Sequence, residues 1–288
     1  MLTEKEYTQE IDAMSGFRSL VRAYQQIASV RMKKTREAVV SNRDYLDQIE
    51  AIFDAVRESY AREAQKLATK KSSKKDTITF LSHNGKNVVV LLSANSGLYG
   101  EVLESTYEAF SKEVKSSPVE VTIVGKHGRG RFVSEYPTKP FTFFEISDEK
   151  FESSELNELI RHIVQYDEIH IYYEKFINVI KQIPDKYIIS SEVSLTKSDK
   201  KETISYLFEP SLEKILMFFE TQVFGARMEQ IAREGQLAKF ASRVMAMDRA
   251  NENIRERIGK LELGKLRARH AVTNRKQLNR SASMRLWS

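Results

Sequence analysis

Glycines and bases alternate over Gly125-Lys126-His127-Gly128-Arg129-Gly130. Such a run suits anion binding, because glycine lets backbone amides approach a phosphate and basic side chains neutralise it. The spacing fits neither G-x-x-x-x-G-K-S/T nor G-x-G-x-x-G, however, and a plain turn after a strand accounts for the same residues. Ser96-Gly97-Leu98-Tyr99-Gly100 sets a serine among glycines. G-x-S-x-G is absent, and a catalytic serine needs a positioned histidine and acid, so a turn between strand and helix is expected here too. The five histidines, His83, His127, His162, His170 and His270, include no i, i+4 pair with an acidic partner, the spacing a helical zinc site requires. With no cysteine there is no disulfide, thiolate metal site or cysteine nucleophile. No catalytic residue, cofactor or metal is therefore expected.

Charge is the sharper signal. From Lys239 onward there are 13 Lys or Arg against four Asp or Glu, 13 − 4 = +9, more than the net +6 of all 288 residues. After Glu262 no acid occurs, while Lys265, Arg267, Arg269, Arg275, Lys276, Arg280 and Arg285 remain. A helix end favours bases through its dipole by roughly 0.3 to 1 kcal/mol per group, too little to call for seven. An acidic partner follows, either protein or a phosphate backbone. Only Trp287 lies among these bases as a stacking residue, which argues against nucleic acid. Met245 and Met247 suit either a pliable sliding surface or plain helix packing.

All five prolines (Pro118, Pro137, Pro140, Pro184, Pro210) lie in the middle of the chain, so both ends are free to form long helices. Glu4 to Leu67 is rich in helix formers, and at 1.5 Å per residue it spans roughly 90 to 100 Å. Leu46, Ile49, Phe53, Val56 and Tyr60, and further up Met14, Phe17, Val21, Tyr24 and Ala28, alternate spacings of three and four, the seam of a coiled coil. Glu209-Pro210-Ser211 opens a second such stretch, with Leu212, Ile215, Phe219, Val223, Ala226, Ile254, Ile258 and Leu261 on one side. Two helices from opposite ends pair antiparallel. Gly225, Gly235, Gly259 and Gly264 inside the second predict close backbone approach or bending.

Between them the period changes. Thr77 to Leu81, Asn87 to Ser93, Val119 to Val124 and Ile169 to Tyr173 read as strands, the second and third apolar enough to be covered on both faces and hence parallel. Helical patterns at Val102 to Val114 and Leu156 to Val164 alternate with them, as in a βαβ domain. The polar stretches Thr69 to Asp76 and Ser194 to Glu202 read as hinges or surface loops. The expected fold is α/β: a long antiparallel coiled coil of the N- and C-terminal helices (1–68 and 209–288) with a small Rossmann-like domain (77–208) inserted. No apolar run approaches the roughly 20 residues that span a bilayer, and the polar start resembles no targeting peptide.

Four segments resemble the gamma subunit of F-type ATP synthases. Leu20 to Met32 is similar to the family's I-T-x-A-M-x-M-V-A-x-x-K-M helix. Asp167-Glu168-Ile169, with Tyr173-Glu174-Lys175-Phe176, is similar to D-E-V-x-x-x-Y-N-K-F. Glu209-Pro210-Ser211 with Ile215-Leu216 is similar to F-E-P-S-x-x-x-I-L. Ala241 to Asp248, with Ala250-Asn251-Glu252-Asn253, resembles a-x-R-M-x-A-M-x-x-A-T-x-N-A, the most specific of the four. Departures accompany them: where the family has S-D-x-G-L-C-G-G, Ala94 to Glu101 lacks the acid and the cysteine, and R-Q-x-x-I-T-x-E-L is reduced to Arg269-His270-Ala271-Val272-Thr273 and a basic tail.

The resemblance implies a non-catalytic central rotor shaft that couples ion-driven rotation to the catalytic cycling of a surrounding hexamer. Its implied partners are alpha- and beta-type subunits, three of each, an epsilon-type rotor subunit and a membrane c-type ring. Its implied place is peripheral, on the cytoplasmic side of a bacterial cell membrane. Arg243, Arg269, His270, Met32 and Tyr24 are the implied contacts with the ring of catalytic subunits. The alternatives are a gamma-like shaft of a specialised ATP-hydrolysing motor, a basic coiled-coil nucleic-acid or adaptor protein, and a doubly wound enzyme.

Overall fold

The computed structural model describes residues 3–68, 84–148, 153–190 and 212–285, leaving the side chains of 53–68, 212–217 and a few single positions undescribed. The expected strand at Thr77 to Leu81, both expected hinges, the Glu209-Pro210-Ser211 helix start, and the side chains of Phe53, Val56, Tyr60, Leu212, Ile215 and Phe219 lie outside that description. The elements in order are α1 (Glu4–Ala68), β1 (Asn87–Leu92), α2 (Val102–Ser116), β2 (Glu120–Val124), α3 (Lys126–Glu135), β3 (Thr142–Phe144), α4 (Ser153–Ile163), β4 (Glu168–Phe176), β5 (Gln182–Ser190) and α5 (Leu212–Arg285). Contacts divide them into two compact units, residues 31–242 and residues 1–30 with 243–288.

In the larger unit the sheet order is β3-β2-β1-β4-β5, the first four strands parallel and β5 antiparallel to β4. Alternation along the strands sends Val88, Val90, Leu92, Ile169, Ile171 and Tyr173 to one face, against Leu156, Leu159 and Ile163 of α4 and Met228 and Ile231 of α5. Val89, Leu91, Val121, Ile123 and Tyr172 fill the other face with Tyr107, Phe110 and Val114 of α2 and Phe132 of α3. β1 is buried on both faces, as its unbroken apolar run requires.

The basic glycine run is not a plain turn. Its residues from Lys126 on begin α3, and Gly125, with φ +95, turns the chain from β2 into that helix. The helix buries Phe132, which stacks near Tyr136 and Phe141. At its far end Glu135 accepts hydrogen bonds from Tyr107 and Ser111 of α2 and pairs with Lys115 at 2.7 Å. The Lys115 ammonium and these hydroxyls hold the Glu135 carboxyl down at about 2. A lowered acid stabilises the fold above its unfolded range near 4.5 and loses that contribution as pH falls toward 2. Glu135→Gln should cost about 1 kcal/mol at neutral pH, allowing for solvent screening, and clearly less at about pH 2, where the native carboxyl is itself half protonated. Thermal melts at both pH values check this.

α1 carries the expected seam, with a corrected register toward its N-terminus. In the larger unit Met32, Thr35, Val39, Asn42, Leu46 and Ile49 face inward at alternating spacings of four and three. Leu46 and Ile49 pack on Val223 and Ala226 of α5. Asn42 meets Gln230, Arg43 meets Glu234, and Glu50 meets Arg227, a ladder that fixes the helices antiparallel.

In the smaller unit the inward positions of α1 are Met14, Arg18, Val21, Gln25 and Ala28, facing Met247, Asn251, Ile254, Ile258, Leu261 and Ala268 of α5. Arg18 donates to Asn251 at 3.0 Å and Gln25 to Asp248 at 3.2 Å. Phe17 and Tyr24 are thus not seam residues but lie outside it, 58% and 50% exposed. Gly264 faces the Tyr7 ring, where a Cβ would come within 2.6 Å, and serves close approach, whereas a Cβ on Gly235 would stand 3.5 Å from Glu174, an ordinary contact. Gly225 and Gly259 meet nothing within 4 Å, against expectation.

Candidate functional site

Two features single themselves out: the seat of α5 on the α/β domain, and the outward faces of the paired helices. The seat is built where the strands end. The chain leaving β1 closes through Asn95, whose amide donates to the Asp148 carboxylate, as do the amide and hydroxyl of Ser96. The side-chain amide of Asn95 donates to Ile146 O at 2.7 Å. The loop itself lacks the acid of the family motif, and the carboxylate it binds comes from Asp148, fifty-three residues after Asn95. Leu98 adopts φ +67, uncommon for a branched side chain, and stands 58% exposed.

No anion cradle forms at the start of α3. Its first amide, Lys126 N, donates to Asn95 Oδ1, and His127 N donates to Ala94 O at 2.8 Å. Gly125 N donates to Phe144 O. Gly128 fits where a Cβ would meet Ser93 and Leu91, so both glycines serve packing.

α5 is held on this platform by buried polar groups with named acceptors. Gln236 donates to Asp148 O, Lys239 to Ser93 O and Ser242 to Tyr99 O. Phe240, 1% exposed, fills the gap among Ala94, Tyr99 and Leu103, with Met32 packed alongside. Met32 thus belongs in part to this cluster. Glu174 of β4 lies beside it, fully enclosed; its sequence signal is the glutamate standing where the family motif has asparagine, which sequence reasoning passed over.

Of the other sequence-predicted contact residues, Tyr24 stands exposed on α1, Arg243 is half-buried on α5, and Arg269 and His270 are exposed on α5. Arg243 and Arg269 are 26 residues apart on one helix, about 39 Å at 1.5 Å per residue. They form separate stations rather than one site. Tyr24 belongs with Phe17, Leu20, Ile27 and Val30, a row of apolar side chains 48 to 65% exposed apart from the aromatic pair already described. Beyond Ala268 every described side chain of α5 is exposed, through residue 283. This last stretch holds Arg269, Arg275, Lys276 and Arg280 and no acid.

Exposure of this kind separates partner contact from self-packing. Tyr24→Ala should change the stability of the isolated chain by no more than about 0.5 kcal/mol, whereas Leu46→Ala should cost about 2 to 5 kcal/mol. Urea titrations of the two variants check the contrast.

His170 of β4 contacts Glu113 of α2, which also accepts from Tyr172 and Lys186. Burial pushes the Glu113 carboxyl up, but the hydrogen bonds from Lys186, Tyr172 and His170 outweigh it and hold it below its usual range. His162, lowered by burial, contacts Thr122. Both histidines are thus structural contacts on the sheet faces. Among the described residues there is no group of three His, Asp or Glu side chains placed to hold a metal ion, and no helix long and apolar enough to cross a membrane.

In each unit the first and last helices pair antiparallel, and a mostly parallel α/β domain is inserted between them in the chain, an α/β protein with long terminal helices. A family model described as ATP synthase matches residues 3–275, and the chain belongs to that family. It is 25% identical to the ATP synthase gamma chain of Desulforamulus reducens and 26% identical to that of Moorella thermoacetica, each over 94% of both chains. Among solved structures, the chain resembles one from the central stalk and c-ring of the Tetrahymena thermophila mitochondrial ATP synthase, with a TM-score of 0.56, 17% identity, and coverage of 80% of this chain and 99% of that one. A chain of the Euglena gracilis enzyme gives a TM-score of 0.56 at 13% identity, covering 88% and 93%. The relatives are gamma chains, the central rotor stalk of the synthase, and this chain is a stalk subunit of the same type, without a catalytic site of its own.

Proposed function

We propose that this chain stands in single copy in the hole of a hexamer of alternating alpha- and beta-type subunits, three of each, with residues 1–68 and 209–288 as its shaft and 77–208 as its foot. The observation that carries the proposal is the composition of the outward faces: a helix pair whose seam is already satisfied still displays Phe17, Leu20, Tyr24, Ile27 and Val30 and ends in an acid-free basic stretch. A helix pair that faced only water would not keep that row of exposed apolar side chains. One shaft in a threefold ring presents a different face to each catalytic subunit, so rotation biases each in turn among its conformations. The ring does the chemistry; the shaft supplies the bias.

Tyr24, Arg243, Arg269 and His270 are proposed as ring contacts, and Met32 as a residue shared between such a contact and the internal cluster. Exposed bases that trade acidic partners at successive steps bind each weakly, which suits turning. The foot is proposed to bind an epsilon-type subunit and the c-type ring, which places the complex peripherally on the cytoplasmic side of a bacterial membrane.

The absence of cysteine makes the test clean. Single-cysteine variants at positions 24, 243, 269 and 270, assembled with the alpha- and beta-type subunits of the same cell and treated with a short bifunctional cross-linker, are expected to join to ring subunits. Cysteine at Val39, buried in the seam, is not. Equal cross-linking at seam and outward positions, or none at the outward ones, contradicts the assignment.

A further inference from the structure

Glu174, near the end of β4, is 0% exposed, and neither carboxylate oxygen has a hydrogen-bond partner. Four groups surround it. From α5 come Gly235, where a Cβ would sit 3.5 Å from Oε2, and the Lys239 ammonium, which donates to Ser93 O at 2.8 Å. From α2 comes the Thr106 hydroxyl, whose hydrogen is committed to Val102 O. From the segment after β3 comes Asp148, whose carboxylate is engaged by Asn95 and Ser96. The carboxyl therefore has one cation and one anion in its neighbourhood, and the support from its own backbone amide and the Thr106 hydroxyl is too weak to offset the loss of water. Burial pushes it up to about 7, with Lys239 opposing the rise and Asp148 adding to it. A fully enclosed carboxyl with so little hydrogen-bond support is accommodated when neutral and costly when charged. It also sits beneath the stretch of α5, Gln236 to Ser242, whose polar groups make the seat.

We propose that Glu174 is a proton-operated latch on the seat of α5. With the proton on, Gly235 of α5 lies against the neutral carboxyl and Lys239 stays on the Ser93 carbonyl. With the proton off, the buried charge draws the Lys239 ammonium away from Ser93 and admits water, and the seat loosens. A raised acid contributes stability that is fully present below its unfolded range near 4.5 and lost as pH rises through about 7, so the seat tightens on acidification across the neutral range. The latch is a property of the chain by itself, independent of what the shaft binds.

The test uses the full chain labelled with carbon-13 in its glutamate side chains. One carboxyl signal is expected to titrate with a midpoint near 7, to be absent in Glu174→Gln, and to move upward in Lys239→Gln, which removes the opposing charge. Amide exchange of residues 236–242, corrected for its intrinsic pH dependence, is expected to speed up on the order of tenfold between about pH 6 and about pH 8 in the native chain and to stay flat in Glu174→Gln. A glutamate set that titrates wholly below about pH 6 overturns the proposal, as does exchange that rises equally in both chains. Should Glu174→Gln fail to fold, the titration of the native chain and of Lys239→Gln decides alone.

Discussion

Gly125→Ala is expected to cost the α/β domain about 3 to 5 kcal/mol, a large share of the roughly 5 to 15 kcal/mol that holds a domain folded. Two causes add. A Cβ at this position would lie 2.7 Å from Ala94 O and 2.8 Å from Ala94 C and N, backbone atoms that cannot swing aside. The φ of +95 adds about 1 to 2 kcal/mol for any residue with a side chain. Relief of the clash would pull Ala94 from the amide of His127 and Gly125 from Phe144 O, undoing the join of β1, α3 and β3. Gly130→Ala, in the same basic run, meets nothing within 4 Å and lies inside α3, so it should stabilise by up to about 1 kcal/mol. Urea midpoints of both variants measure the difference. Equal midpoints would mean that the run serves something other than this close approach.

Reversing the charge of Arg269, Arg275, Lys276 and Arg280 to glutamate is expected to weaken association with the hexamer by on the order of a hundredfold. Exposed ion pairs are worth roughly 0.2 to 1 kcal/mol each, and reversal replaces attraction by repulsion, so four changes sum to on the order of 3 kcal/mol. The isolated chain should fold as before, since every one of these side chains is exposed and α1 does not face them. Helical circular dichroism checks that, and a binding titration at low and high salt checks the electrostatic origin: the native affinity should fall with salt and the variant's should not. An unchanged affinity would make the basic stretch a solvated helix end.

The long helices were legible because neither contains proline. β1 and β2 were legible as parallel strands because they are apolar on both faces. In the seam of the smaller unit Met14, Val21 and Ala28 were placed rightly and two positions wrongly: its polar members, Arg18 and Gln25, look like surface residues in sequence, while their partners Asn251 and Asp248 are more than two hundred residues away. Phe17 and Tyr24, adjacent to them, took their place in an apolar count although they face outward.

α3 was hidden because three of the residues Gly125 to Gly130 are glycine, which disfavours helix locally; burial of Phe132 between the sheet and two aromatic neighbours overrides that preference. β5 escaped notice because Pro184 interrupts a short mixed run. The strand instead pairs along its full length with β4. The seat of α5 was illegible for a different reason, since Gln236, Lys239 and Ser242 reach backbone carbonyls that no spacing in the sequence announces.

The central claim is that this chain is one shaft within a ring. Its most direct test is native mass spectrometry of the complex recovered with the tagged chain from its own cells, with ATPase activity measured on the same material. One copy of this chain with three alpha-type and three beta-type subunits, hydrolysing ATP, is the predicted result. A chain recovered alone, as a pair of itself, or with nucleic acid would contradict it.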